Sequence, residues 1–284
     1  MTSPLRCGKF NSVSELEDRA VLRRNHVVIR GCGSRALVFG HSFGLDQTSW
    51  RHIVPAFEAH YRVITFDYVG SGQSDRTAYS EDRYATLDGY AQDVLDILGA
   101  LDIERCVFVG ASISGMIGLI ASLRAPTRIS QLIMIGSSSC YIDDPPSYRG
   151  GFSNQDIASL LELLDQNFVG WAANMASTAI KEPDIAIELE RGICAIDPRV
   201  ARAFASAAFY CDLRAQLPLC KQPVLVVQCE HDDIVPDSAA EYLAKHLPHG
   251  RYKLLRASSH CPQLTHPAEL RRLISEFLNS RLES

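Results

Sequence analysis

The sequence lacks several features that would place it in a specialised class of protein. Its 284 residues contain no run of lysine or arginine, and the formal net charge is −5. Nothing therefore indicates the basic surface that binds nucleic acid. No stretch of about 18 consecutive apolar residues occurs, which argues against a membrane-spanning helix, and the N-terminus has no apolar segment of the secretory type. We predict a cytoplasmic globular protein with neither nucleic-acid nor membrane partners.

The cysteines also fail to form a recognisable pattern. There are nine of them, and no two are spaced as Cys-x-x-Cys. An odd number without such pairs argues against a disulfide framework and against a zinc ribbon, so no metal site is predicted. Most of the cysteines lie in apolar runs, where they are expected to be small buried side chains in a reducing compartment.

Short apolar runs alternate with helical patterns along most of the chain. Runs rich in Val and Ile without polar alternation are typical of strands buried on both faces of a parallel sheet. Seven such runs occur, at 26–30, 36–40, 61–66, 106–109, 132–135, 223–228 and 252–255. Helices are predicted at 87–101, with Thr86 as N-cap, at 116–123 and at 267–282. The alternation predicts an α/β fold with a mostly parallel central sheet flanked by helices.

One segment interrupts this alternation. Between the fifth and sixth apolar runs there is no strand signal, and residues 153–210 have a helical pattern throughout. Helices inserted between two parallel strands are expected at the end of the sheet where ligands bind. We therefore predict an N-terminal extension at 1–19, a core formed by 20–136 and 211–284, and a helical lid at 137–210.

A glycine motif near the N-terminus resembles a dinucleotide fingerprint. It reads Gly31-x-Gly33-x-x-Ala36. A dinucleotide site needs this motif after a strand and at the start of a helix, because the pyrophosphate lies on the helix N-terminus. Here the motif precedes a strand, so we predict a hairpin turn between the first two strands rather than a nucleotide site.

The most informative motif is the segment Val109–Gly115, which follows a predicted strand and opens a helix. Ser112 lies in the turn with small neighbours, as in the nucleophile elbow of a hydrolase. The Ile113 amide and the helix N-terminus are placed to stabilise an oxyanion. Ser114 is the rival nucleophile, but it lies two positions along, inside the predicted helix.

A nucleophile of this kind needs an acid and a base, which follow later in the chain. After the sixth strand run, Asp232 and Asp233 compete for the role of acid, with Glu230 third. After the seventh, His260 has the position of the general base. The other candidate histidines are His41, His231 and His266.

The loop after the second strand run reads Phe39-Gly-His-Ser-Phe-Gly44. It occupies the place expected to provide a second oxyanion amide. Four elements in the expected order, each directly after a strand, favour a triad of Ser112, His260 and Asp232.

These motifs resemble the α/β-hydrolase superfamily, and within it the group of RsbQ and the plant strigolactone and karrikin receptors. The resemblance extends over about residues 20–281. It rests on Phe43–Trp50, Phe66–Asp75, Gly110–Gly118, Cys140–Pro146 with Gly150–Phe152, and His260–Leu264.

The resemblance implies a serine nucleophile at 112, an acid at 232 and a base at 260, with no cofactor. It implies oxyanion amides at Phe43 and Ile113, and a V-shaped lid of four helices over an apolar pocket. The pocket positions that it implies are Phe43, Tyr141, Phe152, Met175, Cys194 and Phe209.

The sequence departs from this group at several positions. Ala111 replaces the histidine that usually precedes the nucleophile, and Ser42 replaces a glycine of the oxyanion loop. A serine at position 42 would be strained if that position required a positive φ. Met175 and Cys194 lie where the relatives often have phenylalanine.

Two functions follow as hypotheses. The first is a cofactor-independent serine hydrolase that cleaves a small apolar ester or a butenolide-like lactone. The second is a ligand-sensing signalling receptor with slow hydrolytic turnover, which binds a protein partner through its lid.

Overall fold

The computed structural model describes residues 13–280. Most of the predicted N-terminal extension therefore lies outside the described residues. Its described part, from Val13, belongs to helix α1 (Val13–Arg24), which continues past the predicted boundary at residue 19. None of the helices within 13–280 is long and apolar enough to span a bilayer.

Seven strands form one sheet. They are β1 (Val28–Arg30), β2 (Arg35–Gly40), β3 (Tyr61–Thr65), β4 (Cys106–Ala111), β5 (Ile129–Ile135), β6 (Val224–His231) and β7 (Gly250–Ser258). The strand order is β1-β3-β2-β4-β5-β6-β7. All neighbours are parallel except β1, which is antiparallel to β3. The mostly parallel sheet predicted from the apolar runs is confirmed.

The remaining helices are α2 (Glu81–Tyr84), α3 (Leu87–Ala100), α4 (Ile113–Arg124), α5 (Asn154–Gln166), α6 (Phe168–Ala179), α7 (Pro183–Cys194), α8 (Pro198–Phe209), α9 (Asp237–His246), α10 (Pro262–Thr265) and α11 (Pro267–Asn279). The predicted N-cap of α3 is confirmed, because the Thr86 hydroxyl accepts a hydrogen bond from the Asp88 amide. The structure ends α11 at Asn279, three residues before the predicted end.

The predicted hairpin at the glycine motif is wrong. β1 pairs with β3, with Val28 opposite Thr65, and not with β2. The connection from β1 to β2 instead passes over the backbone at the start of β3. A Cβ atom on Gly31 would lie 2.3 Å from the Tyr61 carbonyl oxygen, and one on Gly33 would lie 2.0 Å from that of His60. The glycines are therefore needed for close backbone approach.

The sheet is covered on both faces because successive side chains of each strand point to opposite sides. In β2, Val38 belongs to one apolar cluster, while Leu37 and Phe39 belong to another. Helix α11 covers the second face with five buried side chains. Helices α3, α4 and α9 contribute to the cluster on the first face.

Helices α5–α8 lie between β5 and β6 in the chain and pack over the core. Most of their buried side chains, including Ile157, Leu189 and Phe204, belong to the same apolar cluster as the first face of the sheet. The segment between α6 and α7 contacts the loop after β7. The His260 amide donates to the Ala179 carbonyl oxygen at 2.7 Å, and Ile180 forms a β-bridge with Ser259.

Candidate active site

Ser112 lies in a sharp turn between β4 and α4. Its φ of 55° and ψ of −125° form a backbone conformation that residues with a Cβ rarely adopt. The turn is held by a hydrogen bond of 2.7 Å from the Ser112 amide to the Ile135 carbonyl oxygen. A side chain on Gly110 would lie 2.5 Å from the backbone of Ser114, so only glycine fits beneath the turn. The Ser112 side chain is thereby presented above the end of the sheet.

The structure brings three of the predicted side chains into one hydrogen-bonded chain. The His260 Nε2 atom lies 2.8 Å from the Ser112 Oγ atom. The His260 Nδ1 atom lies 2.8 Å from the Asp232 Oδ2 atom, and both side chains are buried, with 8% and 1% exposed. An imidazole between a serine hydroxyl and a carboxylate is the arrangement that can activate the hydroxyl as a nucleophile.

The Asp232 carboxylate is held from several directions. Its Oδ1 atom accepts hydrogen bonds from the amides of Ile234 and Val235, at 2.9 and 3.1 Å. Its Oδ2 atom accepts a third from the side-chain amide of Gln228 at 3.3 Å. These donors fix the orientation of the carboxylate toward His260.

The competing acids and bases lie elsewhere. Asp233 forms an exposed ion pair with Lys181, and both Glu230 and His231 are exposed. His266 is half-buried, and its Nδ1 atom bonds to Thr265. None of these side chains bonds to Ser112 or to His260 within the described part of the chain.

His41 lies directly beneath the elbow and is fully buried. Its Nε2 atom accepts a hydrogen bond from the Tyr68 amide at 3.0 Å, so its Nδ1 atom carries the proton that bonds the Ser42 carbonyl oxygen at 2.8 Å. Burial lowers the pKa of His41 below its ordinary value, partly offset by the nearby Asp67 carboxylate. The Ser114 hydroxyl donates to the His41 carbonyl oxygen and contacts the Tyr68 hydroxyl. Ser114 therefore lies below the turn and does not face the cavity.

Phe43 and Ile113 lie on the cavity beside Ser112. Ile113 is the first residue of α4, where helical geometry leaves the amide without an intrahelical acceptor. Among residues 13–280 no acceptor is found for the Phe43 amide either. Ser42 does not have a positive φ, so the expected strain at this position is absent.

A mostly apolar cavity lies above Ser112 and beneath the helices α6–α8. Its volume is about 50 Å³. Four of the six predicted pocket residues line it, namely Phe43, Tyr141, Met175 and Phe209. Burial raises the pKa of Tyr141 well above its ordinary value, so its hydroxyl keeps its proton.

The other two predicted pocket residues do not line this cavity. Cys194 is exposed at the end of α7. Leu189 and Ile193 are spaced four residues apart on the buried face of that helix, and Cys194 is rotated away from them. Phe152 packs against Phe209, with ring centroids 5.7 Å apart, and so supports the cavity wall without forming it.

The sequence prediction also missed much of the cavity wall. The additional apolar side chains are Ala179, Leu189, Ile193, Ala205, Ala208 and Ile234. The apolar spacing of Ile185, Leu189 and Ile193 in α7 was a usable signal for two of them. Cys261 also lines the cavity, and burial raises the pKa of its thiol far above its usual range.

No group of three or more His, Cys, Asp or Glu side chains within residues 13–280 is arranged to hold a metal ion. The polar side chains that line the cavity are those of Ser42, Ser112, Tyr141 and His260.

Comparisons with known proteins agree with this architecture. The profile of the alpha/beta hydrolase fold family matches residues 35–267. The strigolactone esterase D14 of Arabidopsis thaliana is 36% identical over 91% of this chain and 97% of its own length. The karrikin insensitive 2 receptor CA of Petunia hybrida is 34% identical over 86% of this chain and 91% of its own.

Among solved structures, a hydrolase from Oleispira antarctica superposes with a TM-score of 0.90 at 37% identity. The match covers 92% of this chain and 97% of that chain. The predicted fold and the resemblance to the plant receptors are both confirmed. With its parallel sheet, its elbow after β4 and matches over nearly its whole length, the chain belongs to the α/β hydrolase fold family.

Proposed function

We propose that the protein is a cofactor-independent serine hydrolase that cleaves a small apolar ester or lactone. The observation that carries the proposal is the chain of two 2.8 Å hydrogen bonds through Ser112, His260 and Asp232, which opens onto an apolar cavity. The kinship with a strigolactone esterase supports it.

In the proposed mechanism the Ser112 Oγ atom attacks the substrate carbonyl carbon while the His260 Nε2 atom accepts its proton. Asp232 holds the imidazole in the tautomer with a proton on Nδ1 and stabilises the imidazolium. The amides of Phe43 and Ile113 donate to the developing oxyanion, each contributing roughly 3 kcal/mol. His260 then gives its proton to the leaving oxygen. Water, deprotonated by the same imidazole, releases the acyl group from Ser112.

The cavity indicates the size and polarity of the substrate. A volume of about 50 Å³ is small for a ligand pocket, which limits the substrate to a small acyl group or a compact ring. Most of its apolar wall comes from the proposed lid, 137–210. We propose that Phe43, Tyr141, Met175 and Phe209 contact the substrate. A butenolide-like lactone fits these limits.

Labelling with a fluorophosphonate probe tests the nucleophile. We expect the wild-type protein to be labelled and Ser112→Ala to lose labelling entirely. Ser114→Ala is the matched control, because it removes the rival hydroxyl two residues along, which bonds beneath the turn. Loss of labelling in Ser114→Ala, with Ser112→Ala still labelled and both variants folded, would contradict the assignment.

A second candidate is a ligand-sensing receptor with slow turnover. One relative is itself a karrikin receptor. Here the hydrogen bond from the His260 amide to Ala179 and the bridge between Ile180 and Ser259 join the base loop directly to the lid. A ligand that moves His260 would therefore alter the lid surface, where a protein partner would bind. The proposed cytoplasmic location suits either function.

Steady-state kinetics with an aryl ester and a simple butenolide separate the two functions. Fast multiple turnover on both substrates favours a metabolic hydrolase. A single slow turnover of the butenolide, accompanied by a shift in Tm, favours a receptor.

A further inference from the structure

The side chain of Ser42 has no hydrogen-bond partner. The residue is only 3% exposed, and its hydroxyl has no acceptor or donor within reach among residues 13–280. Ser42 lines the same cavity as Ser112 and Ile113. A buried hydroxyl without a partner is unfavourable in the unliganded protein, because the water that would otherwise bind it is excluded.

The backbone gives no reason for a serine at this position. Ser42 does not have a positive φ, so its conformation is open to any residue and alanine or glycine would fit as well. The carbonyl oxygen of Ser42 is already bonded to the His41 ring, which fixes the peptide that joins Ser42 to Phe43. The hydroxyl, by contrast, forms no such bond.

The covalent structure places this hydroxyl near the proposed oxyanion site. The Ser42 Oγ atom is separated by four bonds from the Phe43 amide nitrogen. In the unliganded protein the Oγ atom presents almost no surface to the cavity, so the Ser42 side chain must rotate about its Cα–Cβ bond to meet an oxygen atom bound by that amide. The rest of the cavity wall is mainly apolar. The substrate carbonyl oxygen at the oxyanion site is therefore the acceptor closest to the Ser42 hydroxyl. An oxyanion can only accept hydrogen bonds, which makes Ser42 the donor.

We propose that the Ser42 hydroxyl donates a third hydrogen bond to the substrate carbonyl oxygen as it becomes an oxyanion. Ser42 keeps its proton throughout, and no bond to it forms or breaks. The hydrogen bond strengthens as negative charge develops, so it stabilises the transition state more than the bound ester. This inference rests on the proposed hydrolase function, and it adds a side-chain donor to the two backbone amides.

The test compares Ser42→Ala with the wild-type protein on one aryl ester. We expect kcat to fall about 10- to 100-fold with KM nearly unchanged, because the lost interaction acts in the transition state. We expect the Tm to stay equal or rise, because a buried hydroxyl without a partner is removed. The matched control is Ser122→Ala, which removes a buried hydroxyl that bonds within α4 at 2.8 Å, far from the cavity wall. We expect its kinetics to equal those of the wild type.

A second measurement uses phenylboronic acid, whose tetrahedral serine adduct imitates the charged intermediate. We expect its Kd to rise about tenfold in Ser42→Ala. Unchanged kcat and unchanged boronate affinity in this variant would overturn the proposal for Ser42 while leaving the hydrolase intact. A higher KM with unchanged kcat would also overturn it, because that result assigns Ser42 to ground-state binding. A wild-type protein that neither turns over an ester nor reacts with a fluorophosphonate would overturn both proposals.

Discussion

The backbone at Ser112 shows how local strain serves the site. A φ of 55° in a residue with a Cβ costs on the order of 1–3 kcal/mol. The strain persists because β4 and α4 are both packed in the core and because Gly110 allows the close approach of the turn. The small residues around Ser112 made this turn predictable from the sequence.

The residue types alone did not separate Asp232 from Asp233, and it was the family resemblance that assigned the acid to position 232. Both are acidic, and both follow β6 directly. The amides of Ile234 and Val235 turn the Asp232 side chain inward, whereas Asp233 points outward to Lys181. Which of two neighbouring carboxylates a short loop turns inward depends on backbone geometry that neither residue type encodes.

The buried His41 predicts an acid sensitivity of the fold. Because its pKa is lowered from 6.5 in the folded protein, the unfolded chain takes up a proton that the folded one does not. The free energy of unfolding should therefore fall as the pH drops below about 6.5, by up to about 1.4 kcal/mol per pH unit from this residue. Well above pH 6.5 the imidazole is neutral in both the folded and the unfolded chain, so His41 adds no pH dependence to the free energy of unfolding.

The measurement is urea unfolding of the wild type and of His41→Asn between pH 8 and pH 5. The asparagine side chain can still donate to the Ser42 carbonyl oxygen but cannot titrate. We expect this variant to be less stable at pH 8 and to lose stability less steeply below pH 6.5. Equal slopes for the two proteins would contradict a depressed pKa at His41.

At the scale of elements, strand and helix types were predictable because their periodicities differ. Which strands pair with one another was harder to predict, as the glycine motif between β1 and β2 shows. A short edge strand such as β1 can pair with β2 or with β3. Glycines at 31 and 33 are compatible with a hairpin turn and also with a connection that passes close to another backbone segment. The distances of 2.3 and 2.0 Å for added Cβ atoms show that close backbone contact requires glycine at 31 and 33, and the φ of 71° at Gly31 is a second reason for glycine there.

Helices α5–α8, which form the proposed lid, provide a direct prediction for substrate size. Ala205 on α8 lines the cavity, whereas Ala203 on the same helix is half-buried outside it. Ala205→Leu should fill part of the cavity and raise KM for a bulky ester about tenfold, while an acetate ester is less affected. Ala203→Leu, the matched control, should leave both KM values unchanged. The KM values of both variants on both esters test this prediction. If Ala205→Leu and Ala203→Leu changed the KM for the bulky ester equally, the bulky ester would bind elsewhere.

At the scale of the whole molecule, the sheet gathers residues that are far apart in the sequence. Ser112 and His260 are separated by 148 positions, yet their side chains meet because parallel strands end at one edge. This convergence was predictable because each of the triad residues directly follows a predicted strand. The shape of the cavity was not predictable, because it depends on how helices α5–α8 rotate against one another, as the outward position of Cys194 shows.

The central claim is that Ser112 carries the acyl group during turnover. The most direct test is mass spectrometry of the wild-type protein, acid-quenched while it turns over an aryl ester and then digested. We expect an acyl adduct on the peptide that contains Ser112, and we expect none in Ser112→Ala. An acyl group on Ser114, on Cys261 or on no residue while product forms would contradict it.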